Sequence, residues 1–251
     1  MSIAVLLLCL LGGLAAGIIN TLAGGGSLLT LPILIFAGLP PKIANGTNRI
    51  PILVQNVFAV LSFRHGKVKT ARHGLLLAVP ALVGAAAGSY TATVLSGETF
   101  RHVLAGVLLL VLIPVFTKRT VPVSEDEPER GRVTPLSMVL FVGVGFYGGF
   151  VQAGVGFLVL GVLLLACGFD LVRANSIKVL VILIYTGVAV AIFVAQGQVD
   201  WLPAGAMLIG QSAGGWIGAK LAIRRGAPLI KAVLVVMSVL AAAKLLFFPG
   251  S

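Results

Sequence analysis

NTLAGGGSLLTLP, residues 20–32, sets three consecutive glycines, Gly24, Gly25 and Gly26, between two apolar runs. The run before them, 3–23, has the length of about 20 residues that a membrane-crossing helix needs, whereas the run after them, 27–38, falls short of the practical minimum of about 17. Glycines in series at membrane depth interrupt a helix and leave backbone N–H groups without partners, a costly state unless protein or a polar cavity satisfies them. A helix starting at Ser27 would turn its positive dipole end back onto those glycines, which suits an anion. The alternative is that the glycines only let helices approach closely.

A second copy of the pattern lies 130 residues on. VQAGVGFLVLG, residues 151–161, again sets glycines, Gly154 and Gly156, at the head of a short apolar run, 155–167. The same shift pairs Gly13 with Gly143, Gly38 with Gly168, Asn45 with Asn175, Gly84 with Gly214 and Gly88 with Gly218. Glycines and an asparagine in one register indicate duplication. The expected architecture is an all-α integral membrane protein of two repeats, 1–117 and 135–251, joined by a linker, 118–134. Each repeat has about five hydrophobic segments, and the short pieces at 27–38 and 155–167 are broken or re-entrant helices.

Composition agrees. Of 251 residues 59% are hydrophobic and 10% charged, and the mean hydropathy is +1.12. A water-soluble chain of this size cannot hide so much apolar surface, so membrane lipids are its expected surroundings. The 18 Lys and Arg against 7 Asp and Glu give a net charge of +11, but the cations sit in short loops between apolar runs. Such a pattern orients a membrane protein and offers no basic domain to nucleic acid. RHGKVKTARH, 64–73, is strongly basic while its repeat partner QGQVDW, 196–201, is not; SGETFR, 96–101, is poor in cations while its partner RRGAPLIK, 224–231, is rich. Opposite bias in equivalent loops is the mark of inverted topology, with 64–73, the linker and 224–231 in the cytoplasm. The inversion requires that each half cross an odd number of times.

A second polar element follows each short run: ANGTNRIP, 44–51, and ANSIKVL, 174–180. Together the two elements bring amides, hydroxyls, Arg49 and Lys178 to the start of a long apolar segment. One reading is helix capping with an interfacial cation reaching for head groups; the other is a binding site. The candidate substrate-binding residues are Asn20, Gly24, Gly25, Gly26, Ser27, Asn45, Thr47, Asn48 and Arg49 from the first half. Gln152, Gly154, Gly156, Asn175, Ser176 and Lys178 come from the second. Gln55, Asn56, Gln211 and Ser212 either join that lining or bridge helices. All seven carboxylates fall in loops or at segment edges, which disfavours cation channels and sodium- or proton-driven carriers and leaves donors suited to oxyanions.

Enzyme chemistry has no support. His65, His73 and His102 lack the spacing of a metal site or triad, Cys9 and Cys167 sit in apolar runs without partner spacing, and no cofactor or metal is expected. Gly-x-x-x-Gly spacings at Gly84 and Gly88, and at Gly210, Gly214 and Gly218, point to close helix contacts that join either the two halves or two copies in a homodimer.

AGGGSLLTLPILIFAGLPPKIANGTNRI and its degenerate copy QAGVGFLVLGVLLLACGFDLVRANSIKV resemble the sulfite exporter TauE/SafE family of membrane permeases. The resemblance covers nearly the whole chain. It implies a multi-pass protein of the bacterial inner membrane that exports a small sulfur-containing oxyanion such as sulfite, sulfoacetate or a related organosulfonate. The second copy departs from the family pattern, with Val155 between its glycines and Ser176, Ile177 and Lys178 where the first copy has Gly46, Thr47 and Asn48. An anion channel and a non-transporting membrane anchor are the rival readings.

Overall fold

A computed structural model describes residues 2–68, 70–104 and 131–247, with side chains to 233. The end of the first expected repeat, 105–117, and most of the linker 118–134 lie outside the described residues. Every described element is helical: α1 (Ile3–Leu22), α2 (Ser27–Phe36), α3 (Pro41–Thr47), α4 (Arg49–His65), α5 (Ala71–Val94), α6 (described over 97–104), α7 (Pro135–Phe150), α8 (Val155–Gly161), α9 (Leu171–Ala195) and α10 (Trp201–Phe247). A π-helical turn, Val162–Ala166, extends α8.

The helix starts follow from local chemistry. Ser2 accepts from the Val5 N–H ahead of α1. Thr134 and Ser137 close a capping box with Pro135 at the first position of α7. Asp170 Oδ1 accepts from the N–H groups of Val172 and Arg173 to open α9. That cap starts α9 ahead of the polar element 174–180, so Asn175, Ser176 and Lys178 lie within its first turns. Gly226, at φ 61° and ψ −155°, breaks α10 within the expected basic loop 224–231.

Three described helices, α1, α5 and α9, with 20, 24 and 25 residues, are long and apolar enough to cross a bilayer. At 1.5 Å per residue, the 10 residues of α2 reach only about half the hydrocarbon thickness of about 30 Å. The α8 piece with its π turn is similarly short. Both are half-span elements, each preceded by a glycine break. Large apolar side chains such as Val79, Val83, Val139 and Ile209 point outward, the arrangement expected of surfaces solvated by lipid rather than water.

The long helices pack in reciprocal pairs. α1 lies along α10 and α5 along α7; α4 packs on α10 and α5 on α9; α4 and α9 cross each other. The Gly-x-x-x-Gly faces make the closest of these contacts. A Cβ on Gly84 would stand 2.0 Å from the Val142 carbonyl oxygen and one on Gly88 2.0 Å from that of Phe146, both on α7. Gly210 and Gly214 meet the Leu10 and Leu14 carbonyls of α1 in the same way. Of the two alternatives left by the sequence, these faces join helices within the chain.

Candidate substrate site at the crossing of two broken helices

α1 ends at Leu22, and Gly24 turns the chain at φ +87°, a left-handed conformation that a side chain would strain. α7 ends at Phe150, and the second turn uses Gln152 at φ 64° and Gly154 at φ 68°. The two turns meet. A Cβ placed on Gly24 would lie 2.3 Å from the Gly156 Cα, and one on Gly156 would lie 2.2 Å from the Gly24 Cα, so only bare backbone fits at the crossing. The N–H groups of Gly25, Gly26 and Ser27, and those of Ala153, Gly154 and Gly156, make no backbone hydrogen bond among the described residues.

Beside each turn stands a fully buried cation contributed by the other half. Lys178, on α9, donates to the Asn20 and Thr21 carbonyls in the last turn of α1, at 3.1 and 2.9 Å, and to Asn175 Oδ1 at 2.6 Å. Arg49, at the start of α4, donates to the Gly148 and Gly149 carbonyls in the last turn of α7, at 2.8 and 2.6 Å. It donates also to Gln152 Oε1 at 2.9 Å and Asn45 Oδ1 at 3.5 Å, and its guanidinium carbon lies 4.5 Å from the centre of the Phe193 ring. Both cations thus satisfy orphan carbonyls at the negative end of a helix dipole. Dipoles orient a charge without neutralising it. An ion pair joins Arg173 to Asp170, both at the exposed start of α9, and among the described residues no carboxylate is buried.

A polar shell holds the turns in shape. Asn20 Nδ2 donates to Gln55 Oε1 at 3.1 Å, and Gln55 Nε2 to Thr21 Oγ1 at 3.3 Å. Gln152 Nε2 donates to Thr186 Oγ1 at 3.2 Å, and Asn45 Nδ2 to the Phe150 carbonyl at 2.9 Å. The Tyr147 hydroxyl donates to the Ala153 carbonyl. Several polar atoms stay buried without a partner, among them Arg49 Nε, Asn175 Nδ2, Asn48 Oδ1 and the Tyr185 hydroxyl.

Of the residues expected from the sequence, Asn20, Gly24, Asn45, Arg49, Gln152, Gly154, Gly156, Asn175 and Lys178 gather around the two turns. Gly25 lies against the Phe157 ring and Gly26 against the Ala16 carbonyl, as packing glycines do. Ser27 is buried at the start of α2. Thr47 and Ser176 are tied elsewhere, to the Asp200 N–H and to Thr70. Asn48 forms the joint between α3 and α4. An interfacial role for Arg49 and Lys178 does not fit their complete burial. Thr21, Tyr185 and Thr186 also belong to this neighbourhood, and sequence reasoning passed over them. Tyr185 and Thr186 carried one available signal: they stand 130 residues after Gln55 and Asn56.

Half-span helices crossing at bare backbone, with buried cations on either side, fit a multi-pass helical membrane transporter. Comparison with known proteins agrees. The model of the family described as sulfite exporter TauE/SafE matches residues 9–245. A "probable membrane transporter protein", ORF9, of Sinorhizobium sp is 32% identical over 238 residues, covering 93% of this chain and 89% of the relative. The "probable membrane transporter protein" YfcA of Escherichia coli K12 is 30% identical over 234 residues, covering 92% and 86%. One of Haemophilus influenzae is 29% identical over 245 residues, covering 95% and 93%. No solved structure matches the chain significantly. The chain belongs to the sulfite exporter TauE/SafE family and is a multi-pass protein of the bacterial inner membrane.

Proposed function

We propose that the chain exports a small sulfur-containing oxyanion, sulfite or an organosulfonate such as sulfoacetate, bound where the two glycine turns cross. The observation that carries this reading is the pair of fully buried cations, Arg49 and Lys178, capped by helix carbonyls and matched by no buried carboxylate among the described residues. A cation left with net charge in a low-dielectric interior is strongly disfavoured until an anion arrives. Gln152, Asn175 and the unpaired N–H groups of the turns add donors and fix orientation. The family's description as sulfite exporters supports the sulfur oxyanion. An inside-negative potential alone favours loss of each negative charge by about 2.3 kcal/mol per 100 mV, so export needs no coupling ion.

The same reading takes 1–117 and 135–251 as inverted repeats that bring their turns together from opposite sides. It is supported by the reciprocal packing of α1 on α10 and α5 on α7, and by each half's cation capping the other half's broken helix.

The test is flux from proteoliposomes preloaded with sulfite, sulfoacetate, sulfate or acetate, with an imposed membrane potential. Efflux of the sulfur anions that grows with an inside-negative potential, and falls in Lys178→Met, is expected. Flux that demands a sodium or proton gradient and ignores potential would overturn the uncoupled mechanism. Cysteines placed at residues 67 and 198 should label from opposite faces; labelling from one face would overturn the inversion.

A further inference from the structure

The Tyr185 side chain is fully buried on α9, and its hydroxyl has no hydrogen-bond partner. A buried hydroxyl left unpaired is destabilising, and folded proteins retain few. This one lies against Gly148: a Cβ there would stand 2.6 Å from the tyrosine oxygen. The Gly148 carbonyl is the group held by Arg49 Nη1 at 2.8 Å. Arg49 carries the second orphan. Its terminal nitrogens are engaged by Gly148, Gly149, Gln152 and Asn45, while its Nε–H, equally buried, has no acceptor. Two unpaired donors therefore flank one glycine at the end of α7. The equivalent position in the first half is Gln55, whose amide oxygen and nitrogen are both engaged, by Asn20 and Thr21. The tyrosine is not the repeat's bridging residue carried over.

We propose that the Tyr185 hydroxyl and Arg49 Nε form an oxyanion subsite, taking two oxygens of a sulfite or sulfonate group. This rests on the reading of the chain as an oxyanion carrier. The Tyr185 oxygen could in principle accept from Arg49 Nε–H, but the two are not hydrogen-bonded here, and such a bond would still leave the phenolic proton without an acceptor, because a guanidinium accepts nothing. A tetrahedral or pyramidal oxyanion supplies several acceptor oxygens on one centre, so it can meet both donors at once. A halide accepts several hydrogen bonds but all at one centre, whereas an oxyanion offers a separate oxygen to each donor. Tyr185 thereby becomes a specificity-determining residue, and Arg49 supplies both the lock on α7 and one donor to the ligand.

Tyr185→Phe deletes the hydroxyl and keeps the ring, so the packing around Gly148 survives. Thermal unfolding of the purified full chain is measured with and without sulfite, methanesulfonate, sulfate and chloride, and binding by titration calorimetry. Without ligand the variant should melt about 2–4 °C higher than the wild type, because an unsatisfied group is gone. Tyr147→Phe, which removes a hydroxyl that does have a partner, should melt lower. Affinity for the best oxyanion should fall about 10- to 100-fold in Tyr185→Phe, with little change toward chloride. Oxyanions stabilising the wild type and Tyr185→Phe equally would overturn the subsite and leave the carrier reading standing. Failure of every oxyanion to stabilise the wild type would overturn both.

Discussion

Replacing Lys178 by methionine separates the two duties of that side chain. The ammonium makes three hydrogen bonds, to the Asn20 and Thr21 carbonyls and to Asn175 Oδ1, and Met fills nearly the same volume. Losing the bonds leaves three acceptors short of a donor, and each buried unsatisfied group costs about 1–3 kcal/mol. Against this stands the relief of an uncompensated charge, several kcal/mol once relaxation is counted. The two terms oppose each other and are of similar size, so the ligand-free protein should keep its stability to within about 2 kcal/mol, a Tm change of a few degrees. Binding has no such cancellation. An anion about 4 Å from the ammonium gains about 4 kcal/mol at an effective dielectric of 20, equivalent to nearly three decades in Kd. Thermal melts and calorimetric titration of sulfite on Lys178→Met therefore test one argument from two sides. Unchanged affinity, or a loss of affinity that merely tracks a collapse in Tm, refutes the assignment of a ligand-facing charge to this residue.

Three other substitutions test the frame. Gly24→Ala should destabilise by well over 1 kcal/mol, from left-handed backbone strain of about 1–2 kcal/mol joined by a methyl 2.3 Å from the Gly156 Cα, and should be seen as a lowered Tm with loss of flux. Arg49→Lys keeps the charge but not the fork that reaches two carbonyls and Gln152, so it should fail to restore flux and should lower stability by about 2–4 kcal/mol. Gly88→Leu should separate α5 from α7 and reduce the folded yield without altering oligomeric state, measured by size exclusion with light scattering, because its contact is with Phe146 of the same chain.

The membrane assignment and the glycine breaks were legible because they depend on local composition and on helix chemistry that acts within a few residues. The register of 130 residues relates the two glycine stretches, but the contact of Gly24 with Gly156 exists only once the helices are packed and was not read from the sequence. Arg49 and Lys178 could be singled out as unusual, but their partners could not, since each caps a helix end about 100 or more residues away in sequence. Tyr185 was harder still. Within a 25-residue apolar helix a tyrosine reads as one more core residue, and what distinguishes it, a hydroxyl without an acceptor beside Gly148, exists only after α7 and α9 are packed. The early start of α9 was visible in Asp170, a strong N-cap residue overlooked because the apolar run begins later.

Why the cations are capped by carbonyls rather than paired with carboxylates follows from what a carrier must do. A helix C-terminus holds about half a negative charge, enough to orient a cation and keep it in place but too little to cancel it. A carboxylate would cancel it, and would compete with an oxyanion for the same donors. Gln152→Glu turns this reasoning into a measurement. The native Oε1 already accepts from Arg49 Nη1 at 2.9 Å, and the opposite Nε2 faces a threonine hydroxyl that can rotate to donate instead. The substitution is therefore nearly isosteric and supplies the missing counter-charge, an attraction of about 4 kcal/mol at an effective dielectric of 20 set against the carboxylate's own desolvation. The variant should fold with a Tm equal to or above that of the wild type while sulfite affinity drops by two decades or more. A variant that keeps its fold and still binds sulfite with native affinity would show that Arg49 needs no free charge, and the electrostatic account of the site would fail with it.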